Sequence, residues 1–202
     1  MSRMLCLSAG VLLAAVAAAQ TPALRKGVSV QMPATASAVA VPDADLPDSV
    51  VVAVTASGAI YLDTTQVTPA QLSRGVTTAL HHPSQQVYVK VDARTPYSTV
   101  AEVLAALRSA GVNSPVLLTS QQAPTETSYV TPKGLEVLLP APPGGAPAVA
   151  VGATDAQLKQ RARQDRPVVL QAGGKTAFGD VVHAIDVLRA AGARVYLGAA
   201  GK

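Results

Sequence analysis

The sequence predicts an α+β protein made of two small split βαβ-type units, each a mixed sheet with helices on one face. Three observations predict it. Short β-branched runs alternate along the chain with apolar stripes at helical spacing, and Thr or Thr-Pro signals open the helices while Gly closes them. The second half also repeats the first. Thr95-Pro96-Tyr97 through Val100, Leu104, Leu107-Arg108 and Ala110-Gly111 recurs as Thr176-Ala177-Phe178 through Val181, Ile185, Leu188-Arg189 and Ala191-Gly192 at a constant displacement of 81 residues.

The chain opens with Met1-Ser2-Arg3 and an uncharged apolar run from Met4 to Ala19, ending in Ala17-Ala18-Ala19 before Gln20-Thr21-Pro22. A short basic start, an apolar stretch and a small-residue site make a secretory signal over residues 1–19. A spanning helix needs about 20 apolar residues, so the alternative, an uncleaved membrane anchor, is the less favoured reading. Either way, the rest of the chain is expected outside the cytoplasm. Cys6, the single cysteine, lacks the small-residue context of a lipoprotein cysteine.

In the first unit, residues 26–120, Val50 to Val54 is a β-branched run, Ala56-Ser57-Gly58 supplies turn chemistry and Ile60-Tyr61-Leu62 returns, which predicts a hairpin. Thr68-Pro69 is an N-cap with Pro at the first helical position, opening a helix that runs to about Leu80 and stops before Pro83. Val87, Val89 and Val91 alternate with Tyr88, Lys90 and Asp92, a strand with one buried face. Thr95-Pro96 opens a second helix, with Tyr97, Val100, Val103, Leu104 and Leu107 as its stripe. Gly111 ends it by tolerating the left-handed conformation, and Val116 to Thr119 closes the unit. Residues 121–132 are polar, with Pro and Thr, and read as a linker.

The second unit, residues 133–202, is shorter. Lys133-Gly134-Leu135 with Leu139-Pro140 repeats Lys26-Gly27-Val28 with Met32-Pro33. Ala148 to Val151 is a strand, but Gly152 and Thr154-Asp155 lead straight into a helix, so the second hairpin strand is missing. Val168 to Gln171, a helix over 176–191 and Val195 to Leu197 complete it. Helices of such connections cover one sheet face, and an open strand edge is a place where a partner can add a strand.

Composition narrows the chemistry. With 202 residues, 49% hydrophobic and 14% charged, the chain carries a real core and is not disordered. The one cysteine, Cys6, argues against disulfide scaffolds, Cys-ligated zinc or iron–sulfur sites and Cys nucleophiles. A net charge of +4 with 3% aromatics and no Trp gives neither the field nor the stacking surfaces of a nucleic-acid binder. Gly173-Gly174-Lys175-Thr176 resembles the end of a phosphate loop, but Val169 stands where the motif needs Gly, so it reads as a strand-to-helix turn. His81-His82 point apart with no third ligand near in sequence and suit a helix C-terminus. His183 has no nucleophile context, and Tyr97 and Phe178 read as core. No cofactor is expected. Lys159, Arg161, Arg163 and Arg166 crowd the first helix of the second unit. Residues 20–132 carry 6 basic and 7 acidic side chains, against 9 and 5 for residues 133–202. These four cations are solvated surface or the contact for an anionic lipid or cell-wall surface.

The ordered set Lys26 to Pro33, the Val50–Leu62 hairpin with Gly58, Val87-Tyr88-Val89-Lys90-Val91-Asp92, Tyr97-Ser98-Thr99-Val100 and Leu107-Arg108-Ser109-Ala110-Gly111 resembles the periplasmic domain of the ExbD/TolR biopolymer-transport family. The resemblance covers Lys26 to about Ser120, with a degenerate second copy from Lys133 to Leu197. It implies a non-enzymatic subunit with a dimerising α+β domain, working with an ExbB/TolQ-like channel protein and a TonB/TolA-like transducer, or binding peptidoglycan. Asp92 holds the family's acidic position at the strand end and becomes Gly173 in the second copy. The family's membrane helix carries a proton-handling Asp, whereas no Asp or Glu precedes Asp43 here. The expectation is therefore an exported interaction module whose two copies pack on each other as a pseudo-dimer. The rival from another class is a periplasmic enzyme, for which Asp92 and Asp63 are the only nominees, and neither has a catalytic partner in sequence.

Overall fold

The computed structural model describes residues 27–82, 84–120, 131–162 and 166–198. The expected signal or anchor segment 1–19, linker residues 121–130 and Arg163 lie outside the described residues. In chain order the elements are β1 (Val39–Ala40), a 3₁₀ turn (Pro42–Asp45), β2 (Val50–Val54), β3 (Ile60–Leu62), β4 (Thr65–Val67), α1 (Pro69–Ala79), β5 (Val87–Val91), α2 (Tyr97–Ser109) and β6 (Val116–Thr119). Then come β7 (Lys133–Glu136), β8 (Ala148–Ala150), α3 (Asp155–Arg161), β9 (Pro167–Gln171), α4 (Phe178–Ala190) and β10 (Arg194–Leu197).

Seven strands form one mixed sheet in the order β1-β7-β6-β5-β2-β3-β4, and three form a second sheet in the order β10-β9-β8. The parallel centre β2-β5-β6 is what a β-α-β crossover demands, because a strand must return through a helix to lie parallel to its neighbour. The hairpin pairs Val54 with Ile60 and Val52 with Leu62. The architecture is α+β, with two sheets each flanked by helices. The second sheet is wholly parallel.

Four features were not expected from the sequence. The second sheet is wholly parallel rather than mixed, because the hairpin strand that would run antiparallel is missing from it, and β1 pairs with β7 at the edge of the large sheet. The strand β4 extends the hairpin into a three-stranded meander. Residues Lys133–Glu136 form β7, which pairs antiparallel with β6 of the first sheet, while the Gly27 to Pro33 stretch that matches it in sequence forms no strand. Just beyond β7, the amide of Leu138 donates to the carbonyl of Val195 in β10 at 2.9 Å and its carbonyl accepts from Leu197 at 3.0 Å. The stretch 133–138 therefore joins the two sheets.

The helices follow their sequence signals. Thr68 caps α1 and Gln71 reaches back to the Thr68 amide, a capping box, and Thr154 and Gln157 build the same box on α3. Each box satisfies two N-terminal donors that the helix itself cannot. Both α2 and α4 span thirteen residues. Each is followed at its C′ position by a left-handed glycine, Gly111 at φ 86° and Gly192 at φ 83°. Tyr97, Val100, Leu104 and Leu107 on α2, and Phe178, Val181, Ile185 and Leu188 on α4, are buried in a single hydrophobic core that also takes Val52, Val89, Leu135, Val168 and Val195. Residues 27–120 and 131–198 both contribute to this core.

Parts of the strap, the segment 27–49 that precedes β2, lie over the face of the large sheet away from α1 and α2. Tyr88 and Val116 point to this face and pack with Ala44, Val41, Val51 and Leu118.

Candidate functional site

Asp92 ends β5, its amide held by the carbonyl of Val54 at 2.9 Å. Asp92 is only 3% exposed, and its carboxylate accepts from four donors: the Gln31 amide at 3.1 Å, the Arg94 amide at 3.1 Å, Arg94 Nε at 2.9 Å and Arg94 Nη2 at 3.0 Å. The Ala93 amide returns a bond to the Gln31 carbonyl at 2.8 Å. The Arg94 hydrogen bond, reinforced by the two amides and the guanidinium charge, outweighs desolvation and holds the Asp92 carboxyl far below the ordinary carboxylate range. This is the chemistry of a clamp, in which a buried charge is retained because every lone pair is used. What it clamps is the strap 27–49 at the point where the strap meets the folded body.

A second clamp was not foreseen. Asp186 on α4 accepts from the Ala36 amide at 2.8 Å and the Ser37 amide at 2.8 Å, and also from the Ser37 hydroxyl. Desolvation pushes its carboxyl up, but these bonds prevail and hold its pKa below the usual value. A lone acid on a helix carries no sequence signal for this role, since its partners lie about 150 positions away in the chain. The strap is thus pinned to the first unit through Gln31 and to the second through Ser37.

Between the units, the turns entering α2 and α4 face each other. The Tyr97 amide donates to the Thr176 carbonyl at 2.8 Å and the Phe178 amide to the Thr95 carbonyl at 2.9 Å. The Ser98 amide donates to the Gly174 carbonyl at 2.9 Å and the Gly179 amide to the Ala93 carbonyl at 2.8 Å. Each bond is the counterpart of another under the 81-residue displacement. In addition, the Tyr97 hydroxyl donates to the Gly198 carbonyl at 2.8 Å, and burial pushes its pKa up to about 12. Phe178, its counterpart, has no hydroxyl to mirror that bond.

The Gly173–Thr176 stretch is the strand-to-helix turn its alignment indicates: Thr176 donates to Gly173 at 3.0 Å as Thr95 does to Asp92 at 3.0 Å. Its carbonyls face the first unit's amides. Among the described residues, no group of three or more His, Cys, Asp or Glu side chains is arranged to hold a metal. His183 pairs with Asp155 at 3.0 Å across α4 and α3, with both side chains solvent-exposed. His81 and His82 lie exposed just past α1. Asp63 sits in the β3–β4 turn at φ 54°. Lys159 and Arg161 are exposed on the last turn of α3, and Arg166 is exposed before β9. Their counterions are not among the salt bridges of the described residues. No described helix is long and apolar enough to cross a membrane.

A family model described as "Biopolymer transport protein ExbD/TolR" matches residues 9–122. No curated protein matches the chain, and no solved structure does. The matched span takes in the strap, the Asp92 clamp and the sheet centre with α1 and α2, and covers more than half the sequence, so the chain belongs to the ExbD/TolR biopolymer-transport family.

Proposed function

We propose that this chain is a non-catalytic periplasmic interaction module of a biopolymer-transport system, in which one polypeptide supplies both halves of a pseudo-dimer. The single observation carrying the pseudo-dimer reading is the reciprocal set of four backbone bonds around Thr95–Ser98 and Thr176–Gly179. An isologous contact has this form, residue i bonding j while the counterpart of i bonds the counterpart of j. Residues 133–202 are then a shortened second copy of residues 26–120. A linker of about a dozen residues, 121–132, keeps the copies at an effective concentration in the millimolar range. Light scattering on the full chain tests this. A monomer at every concentration supports it, and a stable dimer overturns it.

By family membership, the partners of this module are an ExbB/TolQ-like channel protein, a TonB/TolA-like transducer or peptidoglycan. Lys159, Arg161, Arg163 and Arg166 are its contact with an anionic surface, and Asp92 orders the strap at Gln31. One observation favours a membrane-anchored form over a cleaved one: the family match begins at residue 9, inside the apolar run Met4 to Ala19. Intact-mass analysis of envelope fractions separates the two. A chain retaining Met1 in membranes supports the anchored form, and a soluble species starting at Gln20 supports export by a signal.

A further inference from the structure

Between the strap and the helix-free face of the large sheet lies a cavity of about 570 Å³, within the size range of small-molecule sites. Its apolar surface comes from Val51 and Leu118 on the sheet and from Met32 and Ala44 on the strap. Lys90 rises into it from β5. Because Val87, Val89 and Val91 face the core, alternation puts Lys90 on the opposite face with Tyr88. Lys133, at the start of β7, lines the rim.

Two carboxylates, Asp45 and Asp63, line it together with the two ammonium groups of Lys90 and Lys133, and each of the carboxylates has an interaction partner. Lys90 makes no ion pair among the described residues, and its Nζ reaches the strap backbone at Gly27, where an added Cβ would stand 2.9 Å from it. A half-buried ammonium beside an apolar floor, with no counter-ion among the described residues, favours an anionic ligand. Burial alone pushes the Lys90 pKa down, and an anion placed against it would reverse that shift. Thr119 and Ser120 also line it, with the Thr119 hydroxyl bonded to Thr35. The second unit has no such place, since the counterpart of Lys90 is Gln171, exposed on the three-stranded sheet.

We propose that this cavity binds a carboxylate carried on a compact apolar body, with Lys90 taking the carboxylate and Val51, Leu118 and Met32 the apolar part. The site is independent of the pseudo-dimer reading. Two sources share this chemistry: an alkyl carboxylate derived from lipid, and the C-terminal residue of a peptide.

The test uses the full chain with octanoate, octanol and octylamine, and with a short leucine-terminated peptide as its acid and its amide. Saturable binding by octanoate or by the peptide acid, but not by octanol, octylamine or the peptide amide, is the expected result, and which acid binds assigns the source. Lys90→Gln is expected to weaken that binding at least about tenfold, and Lys90→Arg to retain most of it. Acetic anhydride labelling of the unmodified chain gives a readout that needs no variant. The bound acid should protect Lys90 from acetylation while leaving Lys159 and Lys175 reactive. Octanol binding as tightly as octanoate, failure of both acids to bind, an unchanged affinity in a folded Lys90→Gln variant, or no protection of Lys90 would each overturn the proposal.

Discussion

The amide of Gly179 donates to the carbonyl of Ala93 at 2.8 Å, and a Cβ added at Gly179 would stand 3.3 Å from both the Cβ and the carbonyl oxygen of Ala93. The two units therefore approach each other to backbone contact at this point, and the missing side chain is what permits it.

It follows that Gly179→Val should force the turns apart. Overpacking of this kind costs typically 1–3 kcal/mol. The loss should be local as well as global, with the Tyr97 and Ser98 amides exchanging faster than those of β5. Hydrogen exchange on the folded variant measures this. Equal protection of Tyr97 and Ser98 in both proteins would show that the contact does not depend on close approach.

Tyr97 joins the same contact by two routes, as a buried ring in the core and as a hydroxyl bonded to Gly198. The two can be separated. Tyr97→Phe should cost about 1 kcal/mol, the net value of one hydrogen bond with its acceptor left behind. Tyr97→Ala should cost about 3–5 kcal/mol, the range for emptying a buried aromatic site. Urea midpoints at matched slope decide between these, and near-equal losses would mean that the ring contributes little packing.

The clamps make a prediction about acid. Asp92 and Asp186 both have folded-state pKa values below their unfolded ones. Their stabilisation is therefore complete above the unfolded carboxylate value, about 3.9, and is lost as pH falls below it toward the folded values. Stability should drop steeply below about pH 4, and Asp92→Asn, though less stable at pH 7, should show a shallower acid limb. Chemical denaturation at pH 7, 4 and 3 measures the slope. A variant as acid-sensitive as the parent would remove Asp92 from the account.

Much of this fold was legible because its signals are local. The stripes of α2 and α4, the Thr68 and Thr154 caps and the glycines at 111 and 192 each act within a few residues, and their repetition at one displacement brought the two halves into register. Lys90 could also be placed, because alternation in a strand needs no knowledge of the partner strand. What failed to show is what depends on distant chain. The stretch at Lys133 reads like the one at Lys26, yet only the former becomes a strand, since pairing with β6 is decided by which edge is free. Asp186 gave no signal because the Ala36 and Ser37 amides that use it are far away in sequence. The cavity beside Lys90 exists only because the strap folds back over the sheet. Asp92 was noticed through family resemblance, but its saturation by Gln31 and Arg94 is a matter of geometry.

The basic residues of the second unit allow a test that leaves the fold alone. Lys159 and Arg161 are exposed on α3, while the helix is anchored by buried Leu158 and by the Thr154 cap, neither of which is touched by changing the cations. Arg166 contributes its carbonyl to Arg194 at 3.1 Å, a backbone bond that a substitution preserves. Replacing Lys159, Arg161, Arg163 and Arg166 together by Gln should therefore leave the melting temperature nearly unchanged. It should also weaken sedimentation with anionic vesicles, since each cation near such a surface contributes on the order of 1 kcal/mol. The attraction is Coulombic and screened over about 10 Å at 0.1 M salt, so binding by the parent chain should fall as salt rises while the variant shows little dependence. Vesicles without net charge provide the control, and peptidoglycan sacculi the second anionic surface. Undiminished, salt-independent sedimentation of the variant would assign these four residues to solvated surface and move the search for the contact to the strap and the cavity beneath it.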